Sequence, residues 1–306
     1  MKLVAAGALA FTLIVAPAAQ TPRFRSNVAV VRVDALVTDG RRPIGGLTAA
    51  NFELRDNGVL QKIVDVHFET LPLNIFCVLD VSASVEGHPL LQLKDGMSAL
   101  IDTLTGGDRA ALLTFSNRLQ LHTRLTGDRD RLRSAANAVK ATGSTALFDA
   151  IFAGLALREA DEGRPLMLLF SDGKDTASWL SASKVIDAAR RTDVVVYIVA
   201  ARSAIALQPP WTRSLSSRLQ RPSLIERAAE HFLEELADAT GGRVVFTDIE
   251  TPLREIFLDT LDEFRRRYVI SYQPTDVAAG GWHAIDVRLR GRSGQVKARR
   301  GYADSR

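Results

Sequence analysis

The central part of the chain alternates two sequence patterns, and this alternation constrains the fold more than any other feature. The first pattern is a continuous apolar run, as expected for a strand that is buried on both faces of a sheet. The second is an amphipathic stripe with helical spacing, such as Met97, Leu100, Ile101 and Leu104. The apolar runs are residues 74–79, 110–115, 166–170 and 194–199, with further runs at 119–123 and Arg243–Thr247.

Strands that alternate with helices are typical of an α/β protein. Two further helical stripes support this interpretation. One contains Phe232, Leu233 and Leu236 and is followed by the helix-stopping pair Gly241-Gly242; the other runs through residues 253–264. We therefore predict a doubly wound, mainly parallel sheet with helices on both faces. Residues 119–123 are expected to add an antiparallel edge strand.

The two flanks of the chain show a different pattern, with apolar and polar residues in alternation. Asn57-Gly58 marks a hairpin turn in the N-terminal flank, and residues 268–272, 282–289 and 296–300 are predicted strands in the C-terminal flank. A piece of two or three strands is marginally stable by itself. We therefore predict that both flanks form one small β-sandwich, into which the central domain is inserted; two separate β appendages are the alternative. The predicted domains are residues 20–70, 71–267 and 268–306.

Residues 1–19 have the features of a secretory signal peptide. Lys2 is followed by an apolar stretch up to Val15 and by the small-residue cleavage pattern Ala16-Pro17-Ala18. The stretch is short for a bilayer span, although a membrane anchor is the alternative. The mature chain is thus expected to be exported, periplasmic or secreted, without a transmembrane span. Its single cysteine, Cys77, lies in an apolar run and is interpreted as a buried small hydrophobe.

Three short polar patches adjoin the predicted strands and helices. Asp80, Ser82 and Ser84 follow the first apolar run, Thr145 precedes a helical pattern, and Asp172 follows the run 166–170. Because loops at the carboxyl ends of parallel strands lie at one edge of the sheet, these side chains are expected to converge. They are all oxygen donors and carry few formal charges, which suits a hard divalent cation.

This set of patches resembles the metal-ion-dependent adhesion site of the von Willebrand factor A domain. The signature D-x-S-x-S, a distant Thr and a distant Asp are matched in order, and the resemblance covers roughly residues 73–267. The alternating N-terminal part and the ending Arg299-Arg300-Gly301-Tyr302 are similar to those of bacterial exported proteins with such domains. The resemblance implies Ser82 and Ser84 as direct metal ligands and Thr145 as a direct or water-mediated ligand. It implies Asp80 and Asp172 as carboxylates that orient the bound water and the serines. Taken singly, each of Asp80, Ser82 and Ser84 could instead be a helix cap.

Neutral hydroxyls and water leave most of the charge of a divalent cation uncompensated. The metal is then expected to take one more anionic oxygen from a partner that presents an Asp or Glu. The partner would be a protein, or envelope or matrix material. Mg²⁺ fits a site that keeps several waters, with Mn²⁺ and Ca²⁺ as alternatives.

Other classes of function find little support in the sequence. There is no G-x-S-x-G elbow and no G-x-x-x-x-G-K-[ST] loop, and Ser82 stands where an aspartyl phosphatase would carry its second Asp. The net charge of +4 comes without a dense basic stripe, so no nucleic-acid partner is expected. We therefore predict a non-enzymatic binding module. A metal-stabilised scaffold is the first alternative, and a metal-dependent hydrolase is the less favoured one.

Several residues near the patches allow two interpretations. Asp149 is interpreted as a capping-network residue rather than a site residue, Lys174 and Asp175 as surface residues, and Trp179 as half-buried rather than as an exposed partner anchor. Residues 202–224 form either a disordered insertion or a specificity loop. The basic side chains of the C-terminal tail are interpreted as a solvated strand face; they are Arg288, Arg290, Arg292, Lys297, Arg299 and Arg300.

Overall fold

The computed structural model describes residues 30–40, 42–68, 71–159, 163–201, 223–247 and 252–304. The predicted signal peptide and almost all of the 202–224 segment lie outside these ranges. Within them the chain forms fifteen strands and six α-helices. The strands are β1 (Val31–Asp39), β2 (Arg42–Pro43), β3 (Phe52–Asp56), β4 (Val59–Gln61), β5 (Ile63–Phe68), β6 (Leu73–Asp80), β7 (Arg109–Phe115), β8 (Leu119–Thr126), β9 (Arg164–Ser171), β10 (Val195–Ala201), β11 (Arg243–Thr247), β12 (Tyr268–Tyr272), β13 (Gly281–Leu289), β14 (Gln295–Ala298) and β15 (Gly301–Asp304). The helices are α1 (His88–Asp102), α2 (Arg129–Ala138), α3 (Leu147–Ala156), α4 (Ala182–Arg190), α5 (Leu224–Thr240) and α6 (Leu253–Arg265).

The central domain is a six-stranded sheet in the order β11-β10-β9-β6-β7-β8. All neighbours are parallel except β8, which runs antiparallel to β7 at the edge, as predicted. Every residue of β6 and of β9 is buried, which explains why these strands are continuous apolar runs. Cys77 of β6 is fully buried as expected, and desolvation raises the pKa of its thiol to about 12.

Helices cover both faces of this sheet. On one face, an apolar cluster joins α1, α2 and α6 to β6 side chains such as Ile75 and Leu79. On the other face, a second cluster joins α3, α4 and α5 to the β6 side chain of Val78. Helix α3 packs so closely that a Cβ at Gly154 would lie 2.7 Å from the Val78 Cγ2 atom. Helix α5 ends at Gly241, which adopts the left-handed conformation that the Gly-Gly pair predicted. The doubly wound α/β fold is thus confirmed.

The flanks form two further sheets that share one core, with strand orders β14-β1-β12-β5 and β15-β13-β3-β4 and with β2 on the edge of β1. Strand β1 from the N-terminal flank pairs with β12 and β14 from the C-terminal flank, and β3 pairs with β13. The predicted single sandwich is therefore correct, and separate appendages are excluded. The hairpin turn lies at Asn57-Gly58, where both φ angles are positive.

One detail of the C-terminal flank differs from the prediction. Residues 296–300 do not form one strand, because the chain passes from the first sheet (β14) to the second (β15) at Arg299 and Arg300. Arg299 is 8% exposed, and its guanidinium donates to the Gly301 and Arg190 carbonyls. The interpretation of the basic tail as a solvated face was therefore wrong for Arg299, whose donors are needed at this crossing.

The sandwich is joined to the amino edge of the central sheet, which is the edge where the parallel strands begin. Arg267, fully buried between α6 and β12, donates to the carboxylate and the carbonyl of Asp34 in β1, to the Tyr197 hydroxyl and to the Gly241 carbonyl. Arg164 donates to the same Asp34 carboxylate over 2.7 Å. Buried charges are tolerated only when they are paired and hydrogen-bonded, as these are.

Across the described ranges, we find no helix with the length and apolar character that a bilayer span requires.

Candidate metal site

The candidate site lies at the carboxyl edge of the sheet, where the parallel strands end. Strands β6 and β9 are neighbours at its centre, but the chain continues from β6 to β7 on one side and from β9 to β10 on the other. Such a switch in strand order opens a crevice at the carboxyl ends, where ligands bind in open α/β sheets. Asp80 ends β6 and Ser171 ends β9, so both lie at this switch point.

The first loop folds around the buried Asp80 carboxylate. Its Oδ1 atom accepts a hydrogen bond of 2.9 Å from the Ser82 backbone N–H, and its Oδ2 atom accepts one of 3.0 Å from the Ser171 hydroxyl. The Oγ atoms of Ser82 and Ser84 are 3.1 Å apart. Ser82 is buried and Ser84 is exposed. The two serine hydroxyls of the D-x-S-x-S patch therefore lie within hydrogen-bond distance of each other.

Backbone hydrogen bonds join the second loop to the first. The Ala83 N–H donates to the Gly143 carbonyl over 2.9 Å, and the Thr142 N–H donates to the Val81 carbonyl over 2.8 Å. Gly143 has a positive φ, so most other residues would be strained there, and an added Cβ would also displace the Asn117 side chain, whose Oδ1 atom it would approach to 2.5 Å. This arrangement brings Thr145, which is 8% exposed, to the same edge as Asp80.

The third loop is joined to the second through Thr176. Its N–H donates to the Thr145 carbonyl over 2.9 Å, and its hydroxyl oxygen accepts from the Thr145 N–H over 3.0 Å. Asp172 lies in this loop, and its Oδ1 atom accepts from the Lys174 N–H over 3.1 Å. The structure thus brings together the three loops that carry the five predicted site residues, which are Asp80, Ser82, Ser84, Thr145 and Asp172.

The electrostatics of Asp80 are those of a buried carboxylate beside a second carboxylate, Asp172. Burial raises its pKa to about 6, the neighbouring charge of Asp172 adds to the rise, and hydrogen bonds from Ser82 and Ser171 oppose it. A cation between the loops would compensate both carboxylates. In the described ranges no cluster of three or more His, Cys, Asp or Glu side chains is placed to hold a metal. The available donors are therefore hydroxyls with two carboxylates, a set that suits a hard cation such as Mg²⁺.

Two acidic residues outside the predicted set hold the loops in place. The Asp149 carboxylate accepts from the Trp179 and Leu180 N–H groups, in agreement with its interpretation as a capping residue. Asp175, predicted to be a surface residue, is partly exposed and has a role that the prediction did not include, because it accepts a hydrogen bond of 2.8 Å from the Leu147 N–H at the start of α3. The N-cap residue of α3 itself, Ala146, offers no side-chain acceptor. No local signal could identify Asp175 as the cap, because it lies 28 residues further along the chain.

Trp179 also differs from its prediction. It was interpreted as half-buried, but its side chain is 97% exposed on the third loop. The backbone N–H groups of Trp179 and Leu180 donate to the Asp149 carboxylate, so the indole extends into solvent from a backbone that is held in place.

Comparison with known proteins identifies the fold. The model of the von Willebrand factor type A domain matches residues 74–251, more than half of the chain. Among curated relatives, the uncharacterized protein sll0103 of Synechocystis sp. is 31% identical over 117 residues, which cover 36% of this chain and 27% of that protein. The chain thus spans only about a quarter of the length of that relative.

Two solved structures share the fold at low sequence identity. A von Willebrand factor type A protein from Catenulispora acidiphila has a TM-score of 0.52 at 14% identity, over 88% of this chain and 75% of that one. Proximal thread matrix protein 1 from the mussel byssus, with a zinc-occupied MIDAS motif, has a TM-score of 0.51 at 16% identity, over 68% of this chain and 49% of that one. The family match over more than half of the chain, together with the observed topology, shows that this chain belongs to the von Willebrand factor type A domain family.

Proposed function

We propose that this chain is an exported, metal-dependent protein-binding module of the adhesion or scaffold type. Ser82, Ser84 and Thr145 would hold a divalent cation, and the Asp80 and Asp172 carboxylates would orient the ligands around it. The observation that carries the proposal is the convergence of three hydroxyl-bearing loops, tied by backbone hydrogen bonds, around two carboxylates. The binding unit is residues 71–267, carried on the sandwich of residues 20–70 and 268–306. Export rests on the signal-like sequence of residues 1–19.

The charge of the donor set explains why such a site binds a partner. Hydroxyl ligands leave the cation with most of its positive charge, so an Asp or Glu of another protein is a favourable additional ligand. Mg²⁺ is the proposed ion, because it accepts oxygen ligands and retains waters that a carboxylate can displace. The zinc reported in the MIDAS motif of the mussel protein supports metal uptake by this fold. Because that ion is zinc, the ion that this chain prefers is to be determined by titration with several divalent cations.

A non-enzymatic role is consistent with the hydrogen bonds of the two serines that a hydrolase would use. Ser171 donates to Asp80 and accepts from the Gly173 N–H, and Ser82 pairs with Ser84. Both hydroxyls therefore belong to the oxygen cluster that would surround the cation.

Metal uptake is the first test of this proposal. Isothermal titration of the chain with Mg²⁺ and with Mn²⁺ is expected to show one site, and Asp80→Asn is expected to weaken it about 10- to 100-fold. The amide oxygen introduced by this substitution can still accept from the Ser82 N–H, so the variant should remain folded by circular dichroism. Asp187→Asn, which removes one exposed carboxylate from α4, is the matched control and should bind like the native chain. Equal metal affinities in Asp80→Asn and the native chain contradict the proposed site.

Partner binding is tested separately with peptide arrays that carry a central Asp or Glu, or a central Asn or Gln in the same sequences. Retention of the Mg²⁺-loaded chain on acidic peptides alone, and its loss on chelation, is expected. If chelation lowers the melting temperature but leaves peptide binding intact, the metal stabilises a scaffold and does not bind the partner.

A further inference from the structure

Lys174 lies between the metal site and helix α5 and contacts a carboxylate on each side. Its ammonium Nζ is 3.5 Å from the Asp172 Oδ2 atom and 3.7 Å from the Glu226 Oε1 atom. Its backbone N–H donates to the other oxygen of Asp172. The side chain is 36% exposed, so its charge is only partly screened by solvent. A positive charge of the chain itself is therefore placed on one of the two carboxylates proposed to serve the metal.

Glu226 is held in position for this contact. It is the third residue of α5 and forms a capping box with Ser223: its Oε2 atom accepts from the Ser223 N–H over 2.8 Å, and its N–H donates to the Ser223 hydroxyl over 3.2 Å. The hydrogen bond from the Ser223 backbone and the nearby Lys174 ammonium lower the pKa of its carboxyl. Glu226 thus presents a negative charge to Lys174 from a fixed helix terminus.

We propose that Lys174 and Glu226 together set the affinity of the metal site. Lys174 acts as an internal counter-ion of Asp172 and opposes the entry of a second positive charge. Glu226 also attracts the Lys174 ammonium, so that the negative charge of Asp172 is less compensated and attracts the metal more strongly. This inference rests on the proposed function, since it requires that a divalent cation binds beside Asp172.

The proposal predicts opposite effects from removing the two charges. Lys174→Met keeps the length of the side chain and removes its charge, so the Mg²⁺ affinity measured by titration should rise about 3- to 10-fold. Glu226→Gln preserves the side-chain acceptor of the capping box but removes the negative charge that competes with Asp172 for the Lys174 ammonium. The Mg²⁺ affinity should therefore fall about 2- to 5-fold. The gain of Lys174→Met should diminish when salt is raised to about 1 M, where charges are screened over about 3 Å.

A double variant separates this role from a merely structural one. Because Glu226 acts on the metal through Lys174, Lys174→Met/Glu226→Gln should bind Mg²⁺ like Lys174→Met alone. Lys184→Met, an exposed position on α4, removes the same charge from a helix that carries none of the proposed metal ligands and should leave the affinity unchanged. All variants are first compared by circular dichroism and urea unfolding in the absence of metal.

The outcomes distinguish this inference from the function on which it rests. Tighter binding in Lys174→Met, weaker binding in Glu226→Gln and no effect in Lys184→Met support it. If the native chain binds the metal but Lys174→Met does not bind it more tightly, or if Lys184→Met has the same effect, the inference is overturned and the proposed function stands. If the native chain takes up neither Mg²⁺ nor Mn²⁺, both fail.

Discussion

The two edges of the central sheet use polar residues in opposite ways. At the amino edge, Arg267, Arg164 and Asp34 are buried or nearly so, and each pairs with groups of the sandwich or of the sheet. At the carboxyl edge, Ser84 and Trp179 are exposed, and burial together with the neighbouring charge of Asp172 raises the pKa of Asp80. Oppositely charged groups that pair with each other contribute to one fixed structure, whereas a buried carboxylate beside a second carboxylate, such as Asp80 beside Asp172, favours a bound cation. The comparison therefore separates a structural edge from the edge that carries the proposed binding site.

The largest expected effect is at the amino edge. Arg267→Ala should lower the free energy of unfolding by about 3–5 kcal/mol, because it removes one of the two guanidinium donors of the nearly buried Asp34 carboxylate and a donor to the Asp34 and Gly241 carbonyls. Urea unfolding followed by circular dichroism measures this change. Arg266→Ala is the matched control, since Arg266 forms an exposed i,i+4 pair with Asp262 and should cost less than about 1 kcal/mol. Similar losses in both variants contradict the structural role given to this edge.

An intermediate, pH-dependent effect is expected from Asp108, which also lies at the amino edge. Its buried carboxylate accepts from the Leu73 N–H, from Thr105 and from Arg265. Burial acts to raise the pKa of Asp108, but the hydrogen bonds from Arg265, Leu73 and Thr105 outweigh it, so the pKa is lowered on folding. The resulting stability is present above the unfolded pKa of about 3.9 and is lost as the pH falls through the lower folded value.

Asp108→Asn should therefore destabilise the chain by about 2 kcal/mol at neutral pH, and the difference from the native chain should shrink in acid. Urea unfolding midpoints of the variant and the native chain, compared from about pH 7 down to about pH 3, measure this difference in stability. Asp102→Asn, which removes an exposed partner of Arg133, is the control. Its free energy of unfolding should differ little from that of the native chain, because an exposed ion pair contributes little stability. If the stability difference between Asp108→Asn and the native chain stays constant throughout this range, the lowered pKa of Asp108 does not contribute to stability as proposed.

The smallest effect is expected at the carboxyl edge. Trp179→Ala should change the free energy of unfolding by less than about 0.5 kcal/mol, because the indole is almost fully exposed. Phe264→Ala, a fully buried aromatic residue in the same domain, should cost about 3–5 kcal/mol in the same urea experiment. A large loss in Trp179→Ala shows that the third loop is packed and that the edge carrying the proposed binding site is also structural.

Much of the fold could be predicted because its signals are local. Continuous apolar runs identified β6, β7, β9 and β10, and the Gly241-Gly242 pair marked the end of α5. The polar patches were placed at one edge of the sheet from the direction of parallel strands alone. By contrast, the crossing at Arg299 was missed, because a basic residue between two alternating strands carries no local sign that it is buried.

The environment of the loops could not be predicted, since it depends on contacts between distant residues. Asp175 caps α3 from 28 residues away, and Arg267 reaches Asp34 across 233 residues. Exposure of Trp179 likewise depends on how three loops are tied together, and nothing in the residues around it reveals that arrangement.

The amino-acid sequence alone determined the alternation of strands and helices, the pairing of distant polar patches with strand ends, and hence the family. Only the tertiary structure decided which charges are neutralised and which remain open to a ligand. The physical reason is that backbone preference and apolar period are properties of neighbouring residues, whereas the energy of a charge depends on every group that surrounds it after folding.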